Sequence, residues 1–197
     1  MVQHDRHSAA AGRYRARRFV LFAAAILIAG GIAVADSTTR IDVKEADGVY
    51  RVVASFAVSQ SPEDVMAVLT NFERIPQYVP DMEISRVVER SPGGMIVEQQ
   101  ALSKFMMFSK RVHLMLDVRT DGGAIRFRDR CGKSFASYEG GWVVSQHDSL
   151  TVIDYELSAK PAFEVPGFVL KRLLKRDAGL LVDRIKAEIA TRANRRQ

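Results

Sequence analysis

Between Met82 and Ala159 the chain is a near-continuous succession of short alternating runs, most of them closed by a turn signal. Residues 84–90 lead into Ser91-Pro92-Gly93-Gly94, and 95–102 follow. Residues 108–118 turn at Thr120-Asp121-Gly122-Gly123 into 124–131. Residues 135–144 and 150–159 join near Gln146-His147-Asp148. The third run shows the pattern best: Val112, Leu114, Leu116 and Val118 share one parity, and Arg111, His113 and Asp117 the other. A period of two with one apolar face is a half-buried strand. Regular turns between such runs predict antiparallel hairpins in one curved sheet.

The flanks complete the architecture. Residues 49–58 alternate, with Tyr50, Val52, Ala54, Phe56 and Val58 on one side. Ser61-Pro62-Glu63-Asp64 starts a helix: Ser61 caps, Pro62 occupies the first turn, and Asp64 takes the position of a capping-box acid. Val65, Met66, Val68 and Leu69 give that helix a buried side. Residues 71–75 predict a second short helix stopped by Pro76, and 78–80 an extended link. Residues 36–48 are polar and read as a linker. Over 168–192, Leu170, Leu174, Ala178, Leu181, Ile185 and Ile189 recur at three- and four-residue spacing. A helix of that length, about 37 Å at 1.5 Å per residue, cannot bury its stripe alone and must lie across the sheet. The fold class is α+β: about seven strands, two short helices and one long C-terminal helix. Residues 193–197 form a polar tail.

Residues 1–35 read as a secretory signal. Arg13, Arg15, Arg17 and Arg18 precede an uncharged apolar run, 19–32, and Ala33-Val34-Ala35 offers the small-x-small cleavage pattern before Asp36. The run is shorter than the ~20 residues a spanning helix needs. A Sec signal, a twin-arginine signal on Arg17-Arg18, and an uncleaved membrane anchor are the three forms this segment can take. The expected location is periplasmic or secreted, or membrane-anchored if the leader is kept. The leader also carries the chain's basicity. The whole protein has 29 Lys+Arg against 23 Asp+Glu, but five Arg and one Asp lie in the leader, leaving 24 against 22. Net charge is therefore no argument for a nucleic-acid partner, and none is expected. A single Cys excludes an intramolecular disulfide framework.

Chemical motifs are few. Gly132-Lys133-Ser134 mimics the end of a phosphate-binding loop, but Phe127 stands where the first glycine belongs. His113, His147 and Cys131 have no mutual ligand spacing, so no metal or cofactor is expected. Asp154 and Glu156 share a strand face, as do Arg126, Arg128 and Arg130. Both sets are read as solvated outer faces rather than catalytic or phosphate sites. The Gly93-Gly94, Gly122-Gly123 and Gly140-Gly141 pairs read as turns and a bulge.

Apolar excess in connections carries more information. Phe105-Met106-Met107-Phe108 joins two strands and is flanked by Lys104, Lys110 and Arg111. Phe163, Val165 and Phe168 surround two prolines, and Lys171, Arg172, Lys175 and Arg176 follow on the helix. Phe105, Met106, Met107, Phe108, Phe163 and Phe168 with those four cations fit a membrane-docking surface. They also fit a plain cap on one end of the core with its cations in water.

Ser59-Gln60-Ser61-Pro62-Glu63-Asp64-Val65 and Val68-Leu69-Thr70-Asn71-Phe72-Glu73-Arg74-Ile75-Pro76 resemble the polyketide cyclase/dehydrase and coenzyme Q-binding START-like branch of the Bet v 1-like (SRPBCC) superfamily. So do Tyr138-Glu139-Gly140-Gly141-Trp142, Tyr155-Glu156-Leu157 and the stretch from Val165 to Asp177. The resemblance covers roughly 49–190. It implies a helix-grip fold, in which the sheet wraps the last helix around an apolar cavity, over a START-like domain at 49–192. Inward parity then nominates Leu114, Leu116, Phe127, Tyr138, Trp142, Tyr155, Leu174 and Leu181 as ligand-binding. The implied function is carriage of a hydrophobic small molecule, a quinone or lipid, without catalysis. The alternatives are a cyclase or dehydratase acting on a polyketide-like aromatic precursor, and a structural envelope partner with a collapsed cavity.

Overall fold

Alternation builds the sheet as expected, with one strand more. The computed structural model describes residues 39–105 and 108–195. Its strands are β1 (Arg40–Ala46), β2 (Val49–Val58), β3 (Met82–Ser91), β4 (Gly94–Phe105), β5 (Phe108–Asp121), β6 (Ala124–Asp129), β7 (Phe135–His147) and β8 (Leu150–Pro161). The helices are α1 (Pro62–Leu69), α2 (Ile75–Tyr78) and α3 (Gly167–Asn194), with a 3-10 turn at Phe72–Arg74. The sheet order is β1-β2-β8-β7-β6-β5-β4-β3, antiparallel throughout. Seven strands were expected because the segment before β2 looked too polar. Arg40–Ala46 is nevertheless a strand and not part of a 36–48 linker. Its register with β2, Val43 opposite Val52, turns Val43 inward to 3% exposure and packs Ile41 of the same row half-buried against the core, while its other residues face water. An edge strand needs only one buried row. The signal segment, Met106, Met107 and the last two tail residues lie outside the described residues.

Local chemistry sets the helix starts. The Ser61 hydroxyl accepts the Asp64 backbone N–H at 3.2 Å, and Pro62 sits where no N–H is needed. Pro76 does not stop a helix, as its position suggested. It lies in the first turn of α2, where proline costs no hydrogen bond. Helix α3 begins one residue earlier than expected and runs on through Asn194, taking in the first two residues of the anticipated tail.

The glycine pairs divide. Gly93-Gly94 and Gly122-Gly123 are at turns, whereas Gly140-Gly141 lies inside β7 in unbroken register. The reason is close approach. A Cβ on Gly140 would collide with the Glu156 carbonyl oxygen and press on the Phe127 ring, and one on Gly141 would meet the Ile125 carbonyl oxygen. The sheet coils tightly here, and its inner face closes around α3. Val65 and Val68 of α1, Ile153 of β8 and Val182 of α3 are fully buried in the core, with Ile185 and Ile189 of α3 nearly so. The expected helix-grip architecture is therefore present.

Candidate functional site: a cavity between sheet and helix

The inner rows of β4, β5, β7 and β8 do not touch α3 along its whole length. A cavity of about 400 Å³ remains, within the range of small-molecule sites. Leu114, Leu157, Val169, Leu170, Leu174 and Leu181 are among its apolar lining. Leu174 and Leu181 stay half-buried while Val182 and Ile185 on the same helix are sealed. That difference traces the cavity along α3.

Five of the eight nominated residues line it: Leu114, Tyr138, Tyr155, Leu174 and Leu181. Three do not. Leu116, two residues along β5 from Leu114, is buried at 5% exposure in the filled core. Phe127 and Trp142 form a layer behind the wall, Phe127 against Tyr138 (ring centroids 5.9 Å) and Trp142 against Tyr155 (4.3 Å). Parity put all of them on the inner face, and only Tyr138 and Tyr155 of these four rings reach the cavity.

Sequence reasoning missed the polar wall. The Ser103 hydroxyl donates to Asp177 Oδ2 at 2.6 Å, and Arg176 Nη2 donates to Asp177 Oδ1 at 2.6 Å. Gln99, Ser109, Lys110 and Glu164 also face the cavity, and Lys110 Nζ lies 4.7 Å from the Phe163 ring centroid. Two signals pointed there. The inward row of β4 passes from Val97 through Gln99 to Ser103, and Asp177 interrupts the stripe between Leu174 and Leu181. Arg176, assigned to the docking face, instead turns to Asp177. Among the other docking residues, Phe168 is 69% exposed, Lys171, Arg172 and Lys175 are exposed, and Phe163 is a half-buried cavity residue. Met106 and Met107, and the side chains of Phe105 and Phe108, lie outside the described residues.

The two cavity phenols are unlike surface tyrosines. Burial pushes Tyr138 up to about 12, against a weaker opposing hydrogen bond from Tyr155. Burial raises Tyr155 well above the ordinary value, and Tyr138 adds to it. Burial also raises Tyr78, beneath α3, to about 12. The folded protein thus holds three phenols protonated that an unfolded chain releases from about pH 10. Stability is expected to be intact below pH 10 and to fall steadily as pH rises through 12. Parallel ultraviolet tyrosinate and circular dichroism titrations check this. Three phenols should ionise only with unfolding, and free ionisation in the folded state would contradict the burial.

A loop at one end is fixed by a single carboxylate. Asp129 accepts the backbone N–H groups of Met115 (2.8 Å), Gly132 (2.9 Å) and Cys131 (3.3 Å) and the Cys131 thiol (3.2 Å). Burial raises its pKa, but these donors outweigh burial and leave it lowered. They also end β6 at Asp129, two residues before the expected Cys131. The outer sheet face is charged and paired, with Arg51 near Glu156 (3.4 Å) and Arg128 near Glu139 (2.7 Å), as the strand patterns predicted. Among the described residues no three His, Cys, Asp or Glu side chains converge as metal ligands.

A family model described as polyketide cyclase / dehydrase and lipid transport matches residues 58–186, well over half of the chain. The chain belongs to this family. Its matched span holds all eight strands except β1 and most of β2, together with the cavity-lining part of α3. Solved structures with the same fold span lipid carriers and cyclases. A START superfamily protein from Mycobacterium smegmatis is 17% identical with a TM-score of 0.61, covering 72% of this chain and 97% of that one. The Zhui aromatase/cyclase from Streptomyces sp. R1128 is 14% identical with a TM-score of 0.61, covering 74% and 96%. A STAR-related lipid transfer protein from Xanthomonas axonopodis is 15% identical with a TM-score of 0.54, covering 77% and 98%. At such identities these likenesses speak for fold alone. No curated protein matches the chain. For a polyketide cyclase / dehydrase and lipid transport protein, the helix-grip fold suggests hydrophobic ligand binding or aromatase/cyclase chemistry, and the cavity is where either would take place.

Proposed function

We propose that this protein is an exported carrier that holds a quinone or lipid between its sheet and α3. The observation that carries this reading is the predominantly aliphatic and aromatic cavity of about 400 Å³. Each Å² of apolar ligand surface removed from water there contributes about 25 cal/mol before the costs of binding. The leader read at 1–35 supports export. Native mass spectrometry of the protein recovered from the periplasm after expression of the full chain, with organic extraction, tests the reading. A quinone or lipid at one-to-one stoichiometry is the expected result. A protein that stays empty and also fails to take up either from vesicles would overturn it.

The membrane is the natural source of such a ligand. Phe168 stands exposed at the start of α3, and Lys171, Arg172 and Lys175 follow it at i+3, i+4 and i+7, on one helix face. A ring that enters the interface beside three cations that meet phosphate suits an anionic lipid surface. Phe168→Asp combined with Lys171→Glu is expected to lower sedimentation with phosphatidylglycerol vesicles at least tenfold without changing the melting temperature. Undiminished binding would remove this face from the mechanism.

The cyclase reading has one observation in its favour, the polar wall of Asp177, Glu164 and the two tyrosines. Asp177 is already engaged by Ser103 and Arg176, both phenols are held neutral, and Glu164 is exposed to water rather than enclosed with a substrate, so the wall holds no buried free carboxylate to act as a base. The carrier reading is preferred.

A further inference from the structure

We propose that the Tyr138–Tyr155 hydroxyl pair is an anchor for one neutral acceptor oxygen, a carbonyl or ether, on an otherwise apolar ligand. The inference rests on the carrier reading above and narrows the chemistry of its ligand.

Both side chains line the cavity from adjacent strands. Tyr155 is 7% exposed, its ring stacked on Trp142. Tyr138 is wedged between Phe127 and Phe135, whose ring centroid is 4.9 Å away. Burial keeps both hydroxyls protonated. Two hydroxyls have two protons, and a contact between them can engage only one. An unmatched donor in apolar surroundings is costly, and a ligand oxygen placed there removes that cost.

The charge pattern says which oxygen. Asp129 is the charged group that acts on Tyr138, and a second negative charge beside it is disfavoured. The cation on the cavity wall, Lys110, lies over Phe163, which packs edge-on against Phe135 at 6.2 Å, and Phe135 in turn meets Tyr138. The ammonium is thus engaged by the Phe163 ring, and no cation is among the groups acting on either phenol. A carboxylate head finds no counter-charge at the tyrosines, whereas a carbonyl finds a donor and ring faces on either side.

The test compares two probes that differ only in their oxygens, a naphthoquinone with a dodecyl tail and the dodecyl naphthalene. Calorimetric titration of the protein from full-chain expression is expected to show about tenfold preference for the quinone, which corresponds to one good hydrogen bond. The double variant Tyr138→Phe with Tyr155→Phe should abolish the preference by weakening the quinone alone, because it removes both protons. The infrared carbonyl band of the bound quinone should lie lower in the wild type than in the double variant. Equal affinities in the wild type, a preference that survives in the double variant, or an unshifted carbonyl band in the wild type each overturn the anchor. If the naphthalene binds in any of those cases, the carrier reading stands and only the anchor falls. If neither probe binds, both fall together.

Discussion

Glu188→Ala is expected to be the most destabilising single change away from the cavity, at about 3–5 kcal/mol. Glu188 lies on α3 at 8% exposure, between two guanidinium groups. It accepts Arg192 Nε at 2.8 Å and pairs with Arg74 Nη2 at 3.6 Å. Arg192 Nη1 also donates to the Ala67 carbonyl at 2.8 Å, which ties the end of α3 to α1. Arg74 Nε and Arg192 Nη2 are buried without a hydrogen-bond partner among the described residues. One carboxylate thus neutralises a site that holds two cations. Removing it leaves Arg192, whose side chain is only 17% exposed, without its counter-charge and Arg74 with one buried nitrogen unpaired, a larger loss than the hydrogen bond alone. For a domain of this size the melting temperature should fall by roughly 10 °C. Glu188→Gln keeps the shape and an acceptor and should cost less. Thermal and urea unfolding measure both. A loss below about 1 kcal/mol for Glu188→Ala would mean that the cluster is solvated like an ordinary surface pair.

Leu174→Trp should eliminate ligand binding while leaving the empty protein as stable as before or more so. Leu174 is half-buried and lines the cavity from the first third of α3. An indole there occupies space that the ligand needs and adds apolar contacts in its place. The expected loss of affinity for an apolar ligand is at least ~100-fold, equivalent to about 2.7 kcal/mol. Differential scanning calorimetry separates this from misfolding. The variant should show an unchanged or raised melting temperature without ligand and no further rise with it, whereas the wild type should rise with ligand concentration. A variant that folds and still binds normally would place the ligand elsewhere. The Trp side chain tests occupancy, the paired Tyr138→Phe and Tyr155→Phe changes test recognition, and the two are far enough apart in role to be read independently.

Much of this protein was legible before any coordinates. Alternation located seven of the eight strands, the Ser61-Pro62 pair located the start of α1, and the apolar spacing located α3 and its buried stripe. These are local properties. A strand's two faces, a helix's cap and a helix's apolar side follow from residues within a few positions of one another. The run from Ser59 to Pro76 and the Tyr138–Trp142 stretch also carried the family resemblance that the matched span from 58 to 186 supports.

What escaped sequence reasoning was set by contacts between distant segments. Parity made Leu114 and Leu116 equivalent, yet one lines the cavity and the other is packed core. Parity likewise could not tell Tyr138 and Tyr155 from the Phe127 and Trp142 rings behind them. The polar Arg40–Ala46 became a strand because β2 offered it an unpaired edge. Arg176 left its basic neighbours because Asp177 and Ser103 meet on the cavity side. The sequence determined which face each residue presents. Only the tertiary structure decided how far that face stands from α3, because the gap depends on the coil of the whole sheet, and that coil comes from backbone approaches such as Gly140 against Glu156 that no local pattern encodes.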